Sequence, residues 1–93
     1  MSPEYQYGMR RIRIYTTPIC PYCVRAKALL KQKGAEFEEV DVFADARARK
    51  EMVRKSGGRT TVPQIFIGET HVGGSDDLAA LERAGALDPM LSD

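Results

Sequence analysis

The two cysteines of the chain, Cys20 and Cys23, are separated only by Pro21 and Tyr22. A pair at this spacing suits a structural disulfide, half of a metal site or a redox couple. A disulfide that closes so short a loop would restrict the unfolded chain very little. A zinc site needs four ligands, and the sequence offers this pair and one histidine, His71. The redox couple is therefore favoured, and an iron–sulfur cluster shared between two chains stays open as the alternative.

The surroundings of the cysteine pair predict a strand that turns into a helix. Residues 11–15 alternate charged and apolar side chains, which is typical of a short strand, and residues 21–33 fit a helix. Proline is favoured at the first helical position, so Cys20 is the predicted N-cap. We expect Cys20 to be exposed and Cys23, one turn further on, to be shielded. Backbone amides and the helix dipole stabilise a thiolate at such an N-terminus.

The remaining pattern completes an α/β domain. It predicts a strand over residues 36–42, a helix over residues 44–55 and a hairpin of residues 64–67 with 71–73. A last helix should run over residues 75–84, with Ser75 as its N-cap and two aspartates in its first turn. This order gives a βαβ unit followed by an antiparallel hairpin, hence a four-stranded mixed sheet flanked by three helices. The predicted core includes Tyr15, Phe37, Phe43 and Phe66. The apolar positions that fit the first helix are Val24, Ala28 and Leu29, with Ala26 and Leu30 on adjoining rows.

Length and charge limit the classes of function. A chain of 93 residues is one domain, which we place at residues 10–93 after a flexible N-terminal extension of residues 1–9. With 14 basic and 13 acidic residues, the net charge of +1 gives no electrostatic reason to expect nucleic acid or membrane binding. Two cysteines, no apolar run of about 18 residues and no leader sequence favour a cytoplasmic protein, expected to be a monomer.

Three segments, taken in order, resemble the signature of the dithiol glutaredoxins. They are CPYC at residues 20–23, TVP at residues 61–63 and GGSDD at residues 73–77. The resemblance covers about residues 11–91. Within the family, the sequence is especially similar to the bacterial glutaredoxin 3 type. It implies a thioredoxin-like fold, a cis Pro63 and glutathione-dependent thiol–disulfide exchange on glutathione mixed disulfides and protein disulfides. It implies no cofactor, since glutathione acts as a reducing co-substrate.

The resemblance also implies a role for each matching residue. Cys20 would be the nucleophile and Cys23 the resolving thiol. The γ-glutamyl carboxylate of glutathione would dock on the amides of Ser75 and Asp76, and Asp76 or Asp77 would meet its α-ammonium group. Either Arg49 or its neighbour Lys50 would contact the glycine carboxylate. The implied glutathione contacts are Tyr22, Thr61, Val62, Pro63, Gly74, Ser75, Asp76, Asp77 and Arg49.

Some positions depart from the family pattern. Thr17 stands where many glutaredoxins have a lysine, and Ser75 stands where a third cysteine is common. The segment KSGGRTTV has one residue more than close relatives before TTVP, which leaves the end of the second helix open. Pro21 and Tyr22 disfavour the cluster-binding alternative, because cluster-carrying relatives usually have a glycine or a single cysteine in this motif. His71 is expected to be a surface residue and not a base.

Overall fold

The computed structural model describes residues 10–92, so the predicted extension of residues 1–9 lies outside the described part. Eight helices and strands follow one another along residues 10–92. In chain order they are Ile12–Thr16 (β1), Pro21–Gln32 (α1), Glu38–Asp41 (β2), Ala46–Lys55 (α2), Gln64–Ile67 (β3), Thr70–Gly73 (β4), Ser75–Arg83 (α3) and Leu87–Leu91 (α4). None of the helices in this stretch is both long enough and apolar enough to cross a bilayer.

The four strands form one mixed sheet in the order β2–β1–β3–β4. β1 and β2 are parallel, with Tyr15 opposite Val40, as a βαβ unit requires. β3 runs antiparallel to β1 and forms a hairpin with β4, in which Phe66 faces His71. The predicted order of elements and the mixed sheet are therefore confirmed.

Alternate residues of the central strands pack on opposite faces of the sheet, as the two-residue period of a strand requires. Ile12, Ile14, Ile65 and Ile67 join buried residues of α1, α3 and α4 in one cluster. Tyr15 and Phe66 point to the other face, where they pack with Ala48 and Met52 of α2. The sheet thus lies between α2 on one side and the other helices on the opposite side.

The second helix, α2, differs from its predicted range of residues 44–55 only at its start. α2 begins at Ala46 because the carboxylate of Asp45 caps it and accepts hydrogen bonds from the amides of Arg47 and Ala48. It ends at Lys55, and two glycines with positive φ angles (75° and 103°) turn the chain away.

Other expectations about the helices and the core need correction. A fourth helix, α4, follows the three predicted ones, and the N-cap of α3 is Gly74, one residue before the predicted Ser75. In α1 the buried row is Cys23, Ala26 and Leu30, whereas Val24 and Ala28 are exposed. Residue type alone did not distinguish these rows, because apolar residues occupy both.

The prediction that Phe43 belongs to the core is also wrong, since it is 79% exposed. It lies in the turn after β2, which is fixed by the Asp41 carboxylate accepting hydrogen bonds from the amides of Phe43 and Ala44. Such a turn is an Asx type that a short acidic side chain favours locally. The local hydrogen bonds therefore outweigh the tendency of the ring to be buried.

Candidate active site

The cysteine pair lies where β1 leads into α1. Cys20 is the N-cap of α1, with Pro21 in the first turn, as predicted. The Cys20 sulfur accepts a hydrogen bond from the amide of Cys23 at 3.1 Å and lies 3.9 Å from the carbonyl oxygen of Val62. The amide of Cys23 and the positive end of the helix dipole are therefore both directed at the Cys20 sulfur.

The prediction that the Cys20 side chain is exposed to solvent is wrong. Cys20 is 8% exposed and Cys23 is 1% exposed, so both residues are buried and only the order of exposure agrees with the prediction. The reason is the loop that carries Val62, which lies across the N-terminus of α1 and covers part of the Cys20 sulfur.

The Cys23 thiol resists ionisation. Burial raises the pKa of Cys23 to about 12, and its hydrogen-bonding interaction with Cys20 acts in the same direction. A hydrogen bond from the backbone of Thr17 and the positive charge of Lys27 act in the opposite direction on this pKa but do not overcome burial. Cys23 is therefore a neutral thiol at physiological pH and is not the group that attacks first.

The high pKa of Cys23 predicts selective alkylation. We expect iodoacetamide at pH 7 to modify Cys20 at least about tenfold faster than Cys23, because only a thiolate is an effective nucleophile. Modification of Cys23 should accelerate as the pH rises toward its pKa of about 12. Tandem mass spectrometry of the peptide that contains both cysteines measures each rate. In denaturant the difference should disappear, and equal rates in the folded protein at pH 7 would contradict the assignment.

A cleft of about 380 Å³ opens beside the cysteine pair. This volume suits a small ligand. A wider depression of about 1440 Å³ lies at another part of the surface and is lined by none of the predicted site residues. The Val62–Pro63 peptide in the cleft wall is cis, as the resemblance implied. The residues that line the cleft are Tyr22, Arg59, Thr61, Val62, Pro63, Gly74, Ser75, Asp76 and Asp77.

The cleft brings together eight of the nine residues that sequence resemblance placed in the glutathione site. The exception is Arg49, which lies on the exposed side of α2 and does not line the cleft, and the same holds for Lys50. The cation of the cleft is instead Arg59, whose guanidinium lies 3.7 Å from a carboxylate oxygen of Asp77. The sequence did carry a signal for it, since Arg59 stands only two residues before the TVP segment.

The N-terminus of α3 forms one end of the cleft. Its amides are capped by no side chain of the described residues, and they carry the positive end of the helix dipole. Asp77 folds back and accepts a hydrogen bond from the amide of Gly74 at 2.8 Å. Asp76 is exposed, and no ion pair or hydrogen bond of its side chain occurs among residues 10–92. This end of the cleft therefore offers amide donors to an anion and carboxylate acceptors to a cation.

Gly73 allows Asp77 to fold back in this way. Its φ angle of +116° is one that other residues rarely adopt, and a Cβ at this position would overlap the Asp77 carboxylate. We expect Gly73→Ala to lower the free energy of unfolding by about 1–3 kcal/mol. Gly74→Ala is the matched control, because the nearest atom to its Cβ would be at 3.6 Å and its φ of −96° is permitted. Thermal denaturation compares them, and equal losses of stability would refute this account of Gly73.

A network of polar side chains holds Thr61, which forms part of the cleft wall. The side-chain amide of Gln64, which is fully buried, donates to the carbonyl and hydroxyl oxygens of Thr61 at 3.1 and 3.2 Å. The Nε2 atom of His71 lies 2.7 Å from the Gln64 carbonyl oxygen, and its ring packs on Phe66. Burial lowers the pKa of His71, and the charge of Arg59 lowers it further. His71 is thus partly buried rather than a surface residue, and it acts as a neutral support for the loop.

The mixed sheet, the cysteine pair at a helix N-terminus and the adjoining loop with a cis proline define a thiol–disulfide oxidoreductase of thioredoxin-like fold. A sequence model of the glutaredoxin family matches residues 12–72. Glutaredoxin 3 of Escherichia coli strain K12 is 55% identical over 83 residues, which are 89% of this chain and 99% of that protein. The chain therefore belongs to the glutaredoxin family, whose members are glutathione-dependent oxidoreductases.

Solved structures agree with this assignment. The solution structure of glutaredoxin from Brucella melitensis superposes with a TM-score of 0.80 and 59% sequence identity, covering 91% of each chain. A buckwheat glutaredoxin–glutathione complex superposes with a TM-score of 0.79 and 31% identity, covering 86% of this chain and 74% of that one. The thioredoxin-like fold predicted from the sequence is confirmed.

Proposed function

We propose that this glutaredoxin reduces glutathione mixed disulfides with Cys20 as the nucleophile, and that the cleft beside Cys20 binds the glutathione part of the substrate. The observation that carries the proposal is the position of the cleft. Its wall includes Val62, whose carbonyl oxygen lies 3.9 Å from the Cys20 sulfur. A disulfide whose glutathione part occupied the cleft would therefore lie close to the nucleophile.

The proposed reaction proceeds by two thiol–disulfide exchanges. The Cys20 thiolate attacks the glutathione sulfur of the mixed disulfide, the substrate thiolate leaves and takes up a proton, and Cys20 becomes linked to glutathione. A second glutathione thiolate then attacks the glutathione sulfur of this intermediate and releases oxidised glutathione and the Cys20 thiolate. With a protein disulfide, Cys20 first forms a mixed disulfide with the protein, and Cys23 then attacks the Cys20 sulfur and releases the reduced protein. The pKa of Cys23 of about 12 keeps it protonated until that stage. Two glutathione molecules reduce the resulting Cys20–Cys23 disulfide and leave as oxidised glutathione.

The charges of the cleft match the two ends of glutathione. The amides of Ser75 and Asp76 at the N-terminus of α3 suit its γ-glutamyl carboxylate, and Asp76 or Asp77 suits the α-ammonium group beside it. Arg59 is the cation in the cleft wall that suits the glycine carboxylate, in place of the predicted Arg49. The backbone of Thr61 and Val62 suits an extended peptide, and the ring of Tyr22 lies at the cleft mouth, 53% exposed.

Exposed apolar residues beside the cysteines support protein disulfides as additional substrates. Ile19 precedes Cys20 and is 93% exposed, and Val24 follows Cys23 and is 61% exposed. Phe43 is exposed at the same end of the sheet, since β1 and β2 are parallel and both end there. A docked protein would cover apolar surface that otherwise faces water. We further propose that the protein is a cytoplasmic monomer with no resident cofactor.

The proposal is tested by a coupled assay for reduction of a glutathione mixed disulfide, in which oxidised glutathione is recycled by glutathione reductase. We expect turnover that requires free glutathione, and no turnover with Cys20→Ser. A matched mixed disulfide made with cysteine should be a poorer substrate, because it cannot fill the cleft. Equal rates with both substrates would contradict glutathione recognition by the cleft.

The cluster-binding alternative has a separate test. Among residues 10–92 no three His, Cys, Asp or Glu side chains are grouped so as to hold a metal ion, so a cluster would need thiolates from more than one molecule. We expect freshly purified protein to lack the visible absorbance of an iron–sulfur cluster. A cluster spectrum that disappears with Cys20→Ser would favour the alternative.

A further inference from the structure

Lys27, one helical turn after the resolving cysteine, forms an ion pair with Glu39 of β2. Lys27 follows Cys23 by four residues in α1, so their side chains lie on the same helix face, about one turn apart. The Lys27 ammonium is 2.9 Å from a carboxylate oxygen of Glu39, which follows the first residue of β2. The hydroxyl group of Thr16, which is buried, donates to the same carboxylate oxygen at 2.8 Å.

The resolving step requires the Cys23 thiol to ionise, and its burial opposes this. To attack the mixed disulfide on Cys20 it must lose its proton, yet burial raises its pKa to about 12. The Thr17 backbone and the charge of Lys27 are the two influences that lower this pKa. Glu39 is held as a carboxylate, because its hydrogen bonds with Lys27 and then Thr16 lower its pKa, and the charge of Lys31 adds to this effect.

We propose that Lys27 is a positioning residue for the resolving step, in which its ammonium group stabilises the developing thiolate of Cys23, and that Glu39 holds this ammonium while partly neutralising it. The proposal rests on the roles of Cys20 and Cys23 given above. Lys27 is about one quarter exposed and Glu39 about two fifths exposed, so the solvent screens their effect without removing it.

The step concerned can be isolated as a unimolecular reaction. In the enzyme with glutathione linked to Cys20, the Cys23 thiol gives up its proton and its sulfur attacks the Cys20 sulfur. The bond between Cys20 and glutathione breaks as the Cys20–Cys23 bond forms. The glutathione thiolate leaves and takes up a proton, so one thiol is oxidised and one sulfur of the mixed disulfide is reduced.

The charges of the pair predict effects of opposite sign. Removing the ammonium with Lys27→Gln should slow release of glutathione by about two- to fivefold, because the thiolate fraction of a high-pKa thiol falls faster than its intrinsic nucleophilicity rises. Glu39→Gln should instead speed release by about twofold, because the ammonium is then not neutralised. The glutamine can still accept the hydrogen bond of Thr16. If the two substitutions acted only by disturbing the local structure, the release of glutathione would be slower in both variants.

The experiment prepares the Cys20–glutathione mixed disulfide of the wild type, Lys27→Gln and Glu39→Gln. It follows the release of glutathione after a jump from low pH to pH 7, by acid quench and mass spectrometry. Support requires opposite shifts in the two variants, both smaller at high salt. Slowing in both variants, or no change in either, would overturn the proposal. Mixed-disulfide turnover in the Cys23→Ser background tests the proposed function separately, because no resolving step occurs there.

Discussion

Cys20→Ser is expected to abolish all thiol–disulfide exchange, whereas Cys23→Ser should retain most glutathione mixed-disulfide reduction and lose most reduction of protein disulfides. The first substitution removes the sulfur that forms the covalent intermediate, and a serine hydroxyl does not replace it in an exchange between sulfur atoms. The second substitution removes only the resolving thiol, which is 1% exposed and protonated at neutral pH. Free glutathione can still attack the intermediate in its place.

Both activities should be measured on the same preparations, with glutathione mixed disulfide as one substrate and a protein disulfide as the other. Serine is smaller and more polar than cysteine, so each substitution can disturb the buried pair. Circular dichroism of both variants therefore serves as the control for folding. If the two variants lost mixed-disulfide reduction to the same extent, the division of roles between Cys20 and Cys23 would be wrong.

The order of strands and helices could be predicted because each one has a local signal. The alternation around Ile12 and Ile14 predicts a strand with one buried face, and the proline after Cys20 predicts a helix start. What the sequence did not decide is which of two apolar rows is buried. Val24 is as apolar as the buried Ala26, and only the packing of α1 against the sheet and α3 leaves Val24 in the solvent.

The site was predictable where a residue acts through its position in a motif and unpredictable where it acts through tertiary contacts. The cysteine pair and the aspartates of α3 occupy motif positions, and the structure places them around one cleft. The Lys27–Glu39 pair depends on a contact between separate segments, and so does the Arg59–Asp77 contact, for which the one sequence signal was the nearness of Arg59 to the TVP segment. Arg49 does not line the cleft, and its contact with glutathione stays a prediction, because an exposed position on a charged helix does not show which way the helix faces.

After the substitutions of the cysteines, those of the α3 carboxylates are expected to have the largest effect, and this effect is on the affinity for glutathione substrates. We expect the substitution at the carboxylate that meets the α-ammonium, Asp77→Asn or Asp76→Asn, to raise KM for glutathione mixed disulfides by about 10- to 100-fold with a smaller effect on kcat. A charge-assisted hydrogen bond contributes about 1.5–3 kcal/mol, and half-exposure of Asp77 favours the lower end of that range.

Asparagine is the informative substitution because Asp77 has two functions. Its Oδ2 atom accepts the hydrogen bond of the Gly74 amide, and an asparagine oxygen can keep that bond while the negative charge is lost. Asp77→Ala removes both, so it should also lower the free energy of unfolding by about 1 kcal/mol. Asp88→Asn, at an exposed aspartate outside the cleft, controls for a general change in charge. If neither Asp76→Asn nor Asp77→Asn changed KM by more than about twofold, these carboxylates would serve only to start the helix, through their favourable interaction with its dipole.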